Sequence, residues 1–485
     1  MTVFTETEIL LASILLCWLF VLWRYHYKPL GYPLPPGPPS DPFIGHIRTF
    51  PSKNLHQVFH EWSKTYGDVM QLRTFRRSTI ILGSAQAAND LLDNRSSIYS
   101  CRPTYHLLEM MECPPNVTAL PYGKQFFKQR RIFHQYLSRR NNPSYEPVQR
   151  QQAQILLQDF AADPSNYATH FARYATSIVV RIAFGYHILS ANDPFVEIIE
   201  AFKRKNVQGP PSALAASTVV DLLPFLKYMP SWFPGTSYVS WVKSVRPVAK
   251  QLAEYPYQTL LKNISSGRAE ACIMASELEK RGQDPNHIRD IQGTGLAMYI
   301  AGASTTSFTL HVFLLAMVLH PEVQHRAQEE LDAVTGPNRL PDFHDRDSLP
   351  YIDCIVRETL RWNPVAALGI PHRLLEDDIY RGMFIPKGSI IIPNIYGMTR
   401  DEAIYENPDE FNPSRFLPKQ DGPGETDPAL KFIYARSICP GRYLADTNLF
   451  IAMSTILSAF DITKAVDENG TEITPSVAFS SAFTR

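Results

Sequence analysis

The longest uninterrupted helical pattern in the chain runs from residue 288 to residue 320 and is ended by Pro321. At 1.5 Å per residue, about 33 residues predict a helix roughly 50 Å long, enough to cross a whole molecule. Small residues lie at its middle, at positions 301–303, directly before Ser304 and Thr305. Glycine and small side chains permit close helix packing, and the pattern alone does not assign them another role. Strand patterns elsewhere are sparse, so we expect a mainly α fold with a minor β-sheet region.

The composition excludes several classes of protein. Of 485 residues, 45% are apolar and 19% are charged, which is enough to bury a large core. Basic and acidic residues number 47 each, so the chain lacks the basic excess of a general nucleic-acid binder. Its six cysteines are scattered without a CxxC pair, which indicates a reducing, cytosolic environment for the folded part.

The N-terminus carries an apolar run at residues 9–23, broken by one serine and followed by Arg24. The run is shorter than the roughly 20 residues that span a bilayer, but extension to Phe4 and Tyr27 adds aromatic interfacial residues and makes spanning feasible. A cleaved signal peptide is the alternative, disfavoured because the charge lies on the wrong side and no small-residue cleavage site follows. We therefore predict a transmembrane anchor at residues 1–28, with everything after Arg24 in the cytosol.

A single cysteine near the C-terminus has a distinctive setting. Cys439 precedes Pro440 and Gly441, and an apolar helical pattern continues to Phe460. Because proline suits the first helical position, the sulfur is expected at a helix N-terminus, where N–H groups and the helix dipole favour a thiolate. A bound ferric ion would complete the deprotonation. A buried cysteine is more often an inert apolar residue, so the motif alone is weak.

This stretch resembles the haem-ligand loop of the cytochrome P-450 superfamily, Phe-x-x-Gly-x-Arg/His-x-Cys-x-Gly. It matches at Phe432, Cys439 and Gly441, which the resemblance implies bind haem b, with Cys439 as the axial thiolate ligand of the iron. Ala435 stands where the family has a glycine, and Ser437 where it has a basic residue that binds a haem propionate. Residues 29–40 resemble the family's stiff proline-rich hinge, which makes residues 41–485 the haem-thiolate catalytic domain.

The resemblance implies roles for further residues. In the long helix, Thr305 would hydrogen-bond the bound dioxygen, and Ser304 replaces the family's acidic residue. Arg130 would bind a haem propionate, and Phe126, four residues earlier, replaces the family's tryptophan. In related members of the family, the residue at the position of His372 also contacts a haem propionate. From the residues alone, a basic helix such as the one around Arg130 is usually a solvated charged face, and a lone histidine is usually structural.

Glu358 and Arg361 are three residues apart on a predicted helix and share a face. An ordinary surface ion pair explains this spacing equally well. The family's Glu-x-x-Arg is instead buried and structural, and an arginine from a later loop closes it. Arg415 in Phe411-Asn-Pro-Ser-Arg-Phe416 is the matching candidate.

The resemblance covers essentially the whole chain, with its motifs in the family's order. It implies a membrane-anchored haem-thiolate monooxygenase of fungal secondary metabolism, in the endoplasmic reticulum membrane. The segment at residues 221–235 looks like a block of fungal members that oxidise terpenoids, indoles or polyketides, so the expected substrate is a small apolar molecule. Because the chain lacks a G-x-G-x-x-G fingerprint, electrons from NADPH would come from a separate reductase. Lys124, Lys128 and Arg131 are candidates to meet its acidic face.

Two other functions stay open from the sequence. A haem-thiolate isomerase or dehydratase needs no external electrons and would tolerate Ser304 in place of an acid. A haem-binding pseudoenzyme would account for the departures at Phe126, Ser304, Ala435 and Ser437 and for a chain that ends at Arg485, where family members usually continue. Reductase-dependent NADPH consumption separates the monooxygenase from both.

Overall fold

The computed structural model describes residues 13, 15–20, 31–188, 193–207, 218–282, 284–426 and 438–477. Helices dominate this part of the chain, as the sequence predicts. The longer ones are α1 (Leu55–Tyr66), α2 (Lys124–Tyr136), α3 (Glu146–Ala162), α4 (Tyr167–Phe184), α5 (Pro194–Val207), α6 (Ser237–Ser265), α7 (Ile273–Arg281), α8 (Pro285–Leu319), α9 (Pro321–Thr335), α10 (Pro350–Trp362) and α11 (Arg442–Ala459). Short helical turns at Ser96–Tyr99, His106–Met110, Val219–Leu222 and elsewhere connect them.

The strands form one four-stranded sheet and two hairpins within the described ranges. They are β1 (Val69–Thr74), β2 (Arg77–Leu82), β3 (His372–Arg373), β4 (Asp378–Tyr380), β5 (Met383–Ile385), β6 (Ile390–Pro393), β7 (Ala465–Val466) and β8 (Glu472–Ile473). The sheet order is β1-β2-β6-β3: β1 and β2 are antiparallel, and β2 runs parallel to β6. In β3, His372 pairs with Ile391. Strand β6 thus lies between His372 and the N-terminal strands β1 and β2.

Helix α8 forms the centre of the fold. Its N-cap is Asp284, whose side chain accepts a hydrogen bond from the His287 N–H at 2.9 Å. The helix ends at Leu319, directly before His320 and Pro321. The large core cluster contains residues of α4, α8, α10 and α11. The prediction of one long central helix is therefore confirmed, with a start three residues earlier than expected.

Glycines set how closely neighbouring elements approach α8. A Cβ on Gly295 would collide with the ring of Phe184 in α4, and one on Gly293 would collide with the carbonyl oxygen of Pro115. At Gly302, a Cβ would lie 2.9 Å from Val179 Cγ2. Gly302 therefore does serve close helix packing, which was one interpretation of the small residues at 301–303.

Among the described helices, α8 is long and apolar enough to cross a membrane, but half of its most apolar window is buried in the protein. Its place in the core identifies it as an internal helix. Most of the predicted anchor at residues 1–28 lies outside the described residues. Residues 15–20 are helical, and the large side chains of Leu15, Leu16, Trp18, Leu19 and Phe20 are exposed.

Candidate active site

Cys439 lies just before helix α11, with Gly441 as the N-cap and Arg442 as the first helical residue. Pro440 therefore belongs to the preceding turn, and the prediction that it occupies the first helical position is wrong. Burial raises the pKa of the Cys439 thiol, and this outweighs the Gly441 N–H hydrogen bond and the charges of Arg130 and Arg442, which lower it. The helix terminus alone does not favour the thiolate, so ionisation needs a bound cation.

The side chain of Cys439 is exposed even though protein atoms desolvate it. Both statements hold when a side chain faces a cleft inside the molecule. The surrounding protein then raises the free energy of the ionised thiol, while part of the side-chain surface stays accessible. A cysteine in a cleft is accessible to a bound ligand. Cys439 thus has the position that a metal-ligating cysteine requires.

Arg130 connects α2 to the segment that carries this cysteine. Its Nη1 donates a hydrogen bond of 2.7 Å to the carbonyl oxygen of Ile438, and its Nη2 lies 3.4 Å from His134 Nε2. The side chain is buried, and burial lowers its pKa. Phe126, one turn earlier on α2, is also buried and packs on Tyr122. Helix α2 therefore presents Arg130 to the interior and not to solvent.

His372 is buried in β3 with its Nδ1 2.9 Å from the carbonyl oxygen of Tyr99. Since a carbonyl only accepts, Nδ1 carries a proton and donates. Burial holds the pKa of His372 well below its ordinary value, and the charge of Arg102 lowers it further. The ring is therefore neutral, and any contact with a carboxylate is a hydrogen bond and not an ion pair.

Arg102 is a site residue that the sequence reasoning missed. Its Nη1 donates to the carbonyl oxygens of Ile370 at 2.7 Å and Pro371 at 2.9 Å, next to His372. Burial, with the nearby charge of Arg130, lowers its pKa to about 10. Its Nε has no hydrogen-bond partner in the described part of the chain. An arginine followed by proline is a weak signal, because nothing in that pattern indicates burial.

These residues fit a ligand that carries carboxylates. Within the described residues, neither Arg102 nor Arg130 forms an ion pair, and both are buried. An unpaired buried charge is costly, so such arginines normally have an anionic partner. Two carboxylates beside an accessible cysteine would satisfy the cluster Arg102, Arg130 and His372. Haem, with two propionates and an iron, has this chemistry.

One face of α8 is accessible in the middle of the core. Ile300 is 41% exposed and Ala301 is exposed, although Tyr299 and Ala303 beside them are buried. One turn later, Ser304 Oγ donates to the Ile300 carbonyl at 2.5 Å, and Thr305 Oγ1 donates to the Ala301 carbonyl at 2.6 Å. This face therefore combines small apolar surface with two hydroxyl groups.

The chain matches the family model of cytochrome P-450 over residues 35–482. It belongs to the cytochrome P-450 family. It is 36% identical over 477 residues to cytochrome P-450 monooxygenase 136 of Postia placenta, covering 97% of this chain and 89% of that protein. It is 35% identical over 486 residues to cytochrome P-450 monooxygenase 176 of the same fungus, covering 98% and 93%. Cytochrome P-450 monooxygenase ple1 of Rhodocybe pseudopiperita is 36% identical over 479 residues, covering 95% and 89%.

These comparisons establish the enzyme class. The chain is a cytochrome P-450 monooxygenase of the fungal type, and its cofactor is a haem whose iron takes a cysteine thiolate as axial ligand. Of the residues that the sequence assigned to the haem loop, Phe432, Ala435 and Ser437 lie outside the described residues. Cys439 and Gly441 lie inside them and adjoin the cluster of Arg102, Arg130 and His372.

In this cytochrome P-450, Glu358, Arg361 and Arg415 form one fully buried group. Glu358 Oε2 accepts from Arg361 Nε at 2.7 Å, and its Oε1 accepts from Arg361 Nη2 at 2.8 Å and from Arg415 Nε at 3.1 Å. Arg415 also donates to Glu425 at 2.8 Å. The group joins helix α10 to the loop before the haem segment and is not a surface pair.

The three basic residues proposed to meet a reductase differ in setting. Lys124 and Arg131 are exposed on α2. Lys128 instead pairs with the buried Asp290 of α8 at 2.5 Å, and Gln125 donates to the same carboxylate at 3.1 Å. Lys128 therefore ties α2 to α8, which makes it a poorer docking residue than its two neighbours.

Proposed function

We propose that this cytochrome P-450 oxidises a small apolar molecule of secondary metabolism, terpenoid, indole or polyketide in type, with O2 and electrons from NADPH. The observation that supports the site is the buried cluster of Arg102, Arg130 and His372 beside Cys439. In this proposal Cys439 ligates the haem iron, and the cluster holds the propionates. The haem, when bound, supplies the oxygen activation that a thiolate ligand promotes.

Ser304 and Thr305 would handle protons at the accessible face of α8. Each hydroxyl now donates to a backbone carbonyl one turn earlier, and each retains lone pairs that accept. Rotation of the Thr305 hydroxyl would turn its proton toward a ligand in the cleft. Because Ser304 has no acidic group of its own, it can only pass on a proton that water delivers.

The electron donor is proposed to be a separate NADPH-dependent reductase that docks on α2. Lys124 and Arg131 offer exposed positive charge there. Arg130, the neighbour of Arg131, bonds directly to Ile438, the residue before Cys439. A partner whose acidic face binds Arg131 would thus lie next to Arg130, which contacts the segment that carries Cys439.

Membrane attachment in the endoplasmic reticulum would use the N-terminal segment and a second surface, which we call the aromatic patch. Phe75 N–H donates to the Ile44 carbonyl at 3.1 Å, and Arg77 Nη1 to the Asp221 carbonyl at 3.4 Å, so three segments meet here. Aromatic and apolar side chains of this kind favour the membrane interface. The exposed members are Phe43, Ile47, Phe75, Val219, Phe225, Tyr228, Trp232 and Phe233.

The test is the carbonyl difference spectrum of the reduced protein. Wild type should show the red-shifted Soret band of thiolate ligation, and Cys439→His should keep haem but lose that band. Cys354→Ala, which changes a buried cysteine of α10, is the control and should keep it. A band that survives Cys439→His would exclude Cys439 as the ligand. Product that forms without NADPH and reductase would instead support an isomerase.

A further inference from the structure

Arg346 joins helix α11, which follows Cys439, to helix α10. It lies on the short helical turn Phe343–Ser348, just before α10. Its Nη1 and Nη2 donate to the two carboxylate oxygens of Asp446 on α11, at 2.5 and 3.0 Å. Its Nε and Nη2 donate to Oδ1 of Asp353 on α10, at 3.1 and 2.5 Å. All three guanidinium nitrogens are therefore engaged, and one side chain links the two helices.

This link has the geometry of a strong ion pair. An arginine that donates two parallel N–H groups to one carboxylate is held in orientation as well as in position. The guanidinium carbon of Arg346 also lies 4.9 Å from the centre of the Phe450 ring on α11, a distance that allows a cation–π contact. The side chains of Arg346 and Asp353 are 24% and 17% exposed, while that of Asp446 is 46% exposed. The link thus differs from a mobile surface pair, whose contribution to stability is usually small.

The turn that carries Arg346 is itself fixed to the frame of the protein. Asp342 precedes the turn, and its backbone N–H donates to the Asp345 carboxylate at 2.8 Å. The Asp342 carboxylate accepts in turn from Arg150 of α3 at 2.7 Å. Arg346 therefore acts on α11 from a support that is anchored at α3 and at α10.

Helix α11 is held from two sides. Asn448 Oδ1 accepts from Gln149 of α3 at 2.7 Å, and the Asn448 carbonyl oxygen accepts from Tyr174 of α4 at 2.8 Å. Residues two positions apart do not share a helix face, so Asp446 is held on a different side of α11. Contacts on both sides fix the rotation of the helix about its axis as well as its place.

The position of α11 determines where the sulfur of Cys439 lies. Asp446 is seven residues after Cys439, in the second turn of the helix. Since a helix is rigid over two turns, a contact at Asp446 sets the direction in which the N-terminal end points. A metal-ligating atom must be held to within about 0.5 Å, and the contacts around its segment supply that precision.

We propose that Arg346 is a positioning residue for the haem thiolate. Through Asp446 it fixes α11, and with it Cys439, relative to the rest of the site. This role rests on the proposed function, in which Cys439 ligates the iron. Without the pair of Arg346 and Asp446, the iron–sulfur bond breaks more readily and the sulfur takes up a proton from solvent. The protein itself stays folded, since Asp353 keeps Arg357 at 2.5 Å.

The experiment titrates the haem-loaded enzyme with urea and records the reduced-carbonyl spectrum and tryptophan fluorescence in parallel. The red-shifted Soret band reports the thiolate, and the unshifted band reports haem that has lost it. In wild type, the red-shifted band and the folded fluorescence should be lost together. In Arg346→Gln and Asp446→Asn, the red-shifted band should be lost at lower urea. While these variants are still folded, the ratio of unshifted to red-shifted band should exceed that of wild type about fivefold or more, as for loss of one partly exposed ion pair.

Arg339→Gln is the matched control. Arg339 donates to the Asp345 carboxylate at 2.6 and 2.8 Å, so it forms another bidentate pair of the same turn. Its other hydrogen bonds run to the carbonyl oxygens of Val334 and Leu340 and not to α11. This variant should lose the red-shifted band where wild type does. Asp446→Glu keeps the carboxylate and should keep the wild-type ratio.

Three results would overturn the proposal. The first is a wild-type ratio in Asp446→Asn, which decides the question even if Arg346→Gln does not fold. The second is loss of the red-shifted band only together with the fluorescence in both variants, which would make the pair merely structural. The third is an equal effect in Arg339→Gln, or in Asp446→Glu. Wild type is read first and without urea: absence of its red-shifted band would refute the proposed function, and the role of Arg346 with it, before any variant is compared.

Discussion

Glu358→Gln tests the buried group of Glu358, Arg361 and Arg415 most directly. Glu358 is completely buried and accepts four hydrogen bonds: two from Arg361, one from Arg415 at 3.1 Å and one from the Asn412 N–H at 2.8 Å. Glutamine keeps the shape but removes the negative charge. Its amide group would also turn two N–H donors toward guanidinium groups that can only donate.

The size of the effect follows from which charges remain paired. Arg415 keeps Glu425 at 2.8 Å, while Arg361 keeps only carbonyl acceptors, those of Thr399, Pro408 and Glu410. Removing one partner of a buried ion pair costs about 3–5 kcal/mol. A typical domain has only about 5–15 kcal/mol of stability, so the loss is a large fraction of the whole.

The assay is urea unfolding of the haem-loaded protein, followed by tryptophan fluorescence. We expect Glu358→Gln to unfold at a much lower urea concentration than wild type. Glu61→Gln is the control, because Glu61 pairs with Lys64 at the same three-residue spacing and both side chains are more than half exposed. It should cost at most about 1 kcal/mol. Equal shifts for the two variants would refute the argument that burial gives the group its importance.

Three further predictions concern the haem, the protons and pH. Arg102→Ala should lower haem affinity about ten- to hundredfold, measured as haem content after dilution, while Arg139→Ala on the surface should not. Thr305→Ala should lower the product formed per NADPH and release more hydrogen peroxide, and Ser304→Asp should raise that yield; equal yields in wild type and Thr305→Ala would exclude α8 from proton delivery. Burial and the charge of Arg400 lower the pKa of His56 to about 4. Because the unfolded chain takes up this proton at higher pH, stability should fall as pH drops from about 6.5 toward 4. The urea midpoint of His56→Gln should lose less between pH 7 and pH 5; a loss as large as that of wild type would contradict the assignment.

Local sequence signals predicted much of the architecture. The apolar period of α8 and its stop before Pro321 are local signals, and the structure has both; the cap at Asp284 was not predicted. The residue pattern at positions 69–75 and 79–82 predicts a small strand pair, and the structure places β1 and β2 within two residues of those bounds. The spacing of Glu358 and Arg361 predicted a shared helix face but could not distinguish a buried pair from an exposed one.

What the sequence missed depends on tertiary contacts. Lys128 was predicted to be a docking residue because the sequence does not reveal its ion-pair partner. That partner, Asp290, lies on another helix, far along the chain. Arg102 is buried by the turn at Ile370 and Pro371, which no local pattern brings to it. The Cys439 pKa moved against expectation because desolvation, which comes from the whole surrounding protein, exceeds the local effect of the helix terminus.

The glycines of α8 divide this helix into positions that have room for a larger side chain and positions that do not. Gly293 and Gly295 touch Pro115 and Phe184 with no room for a single carbon atom, so the spacing of three elements depends on them. Ile300, one to two turns along the same helix, touches little of the protein. Substitutions at Ile300 and Ala301 can therefore change the surface that α8 presents to the cleft, while the packing that positions the helix stays as it is.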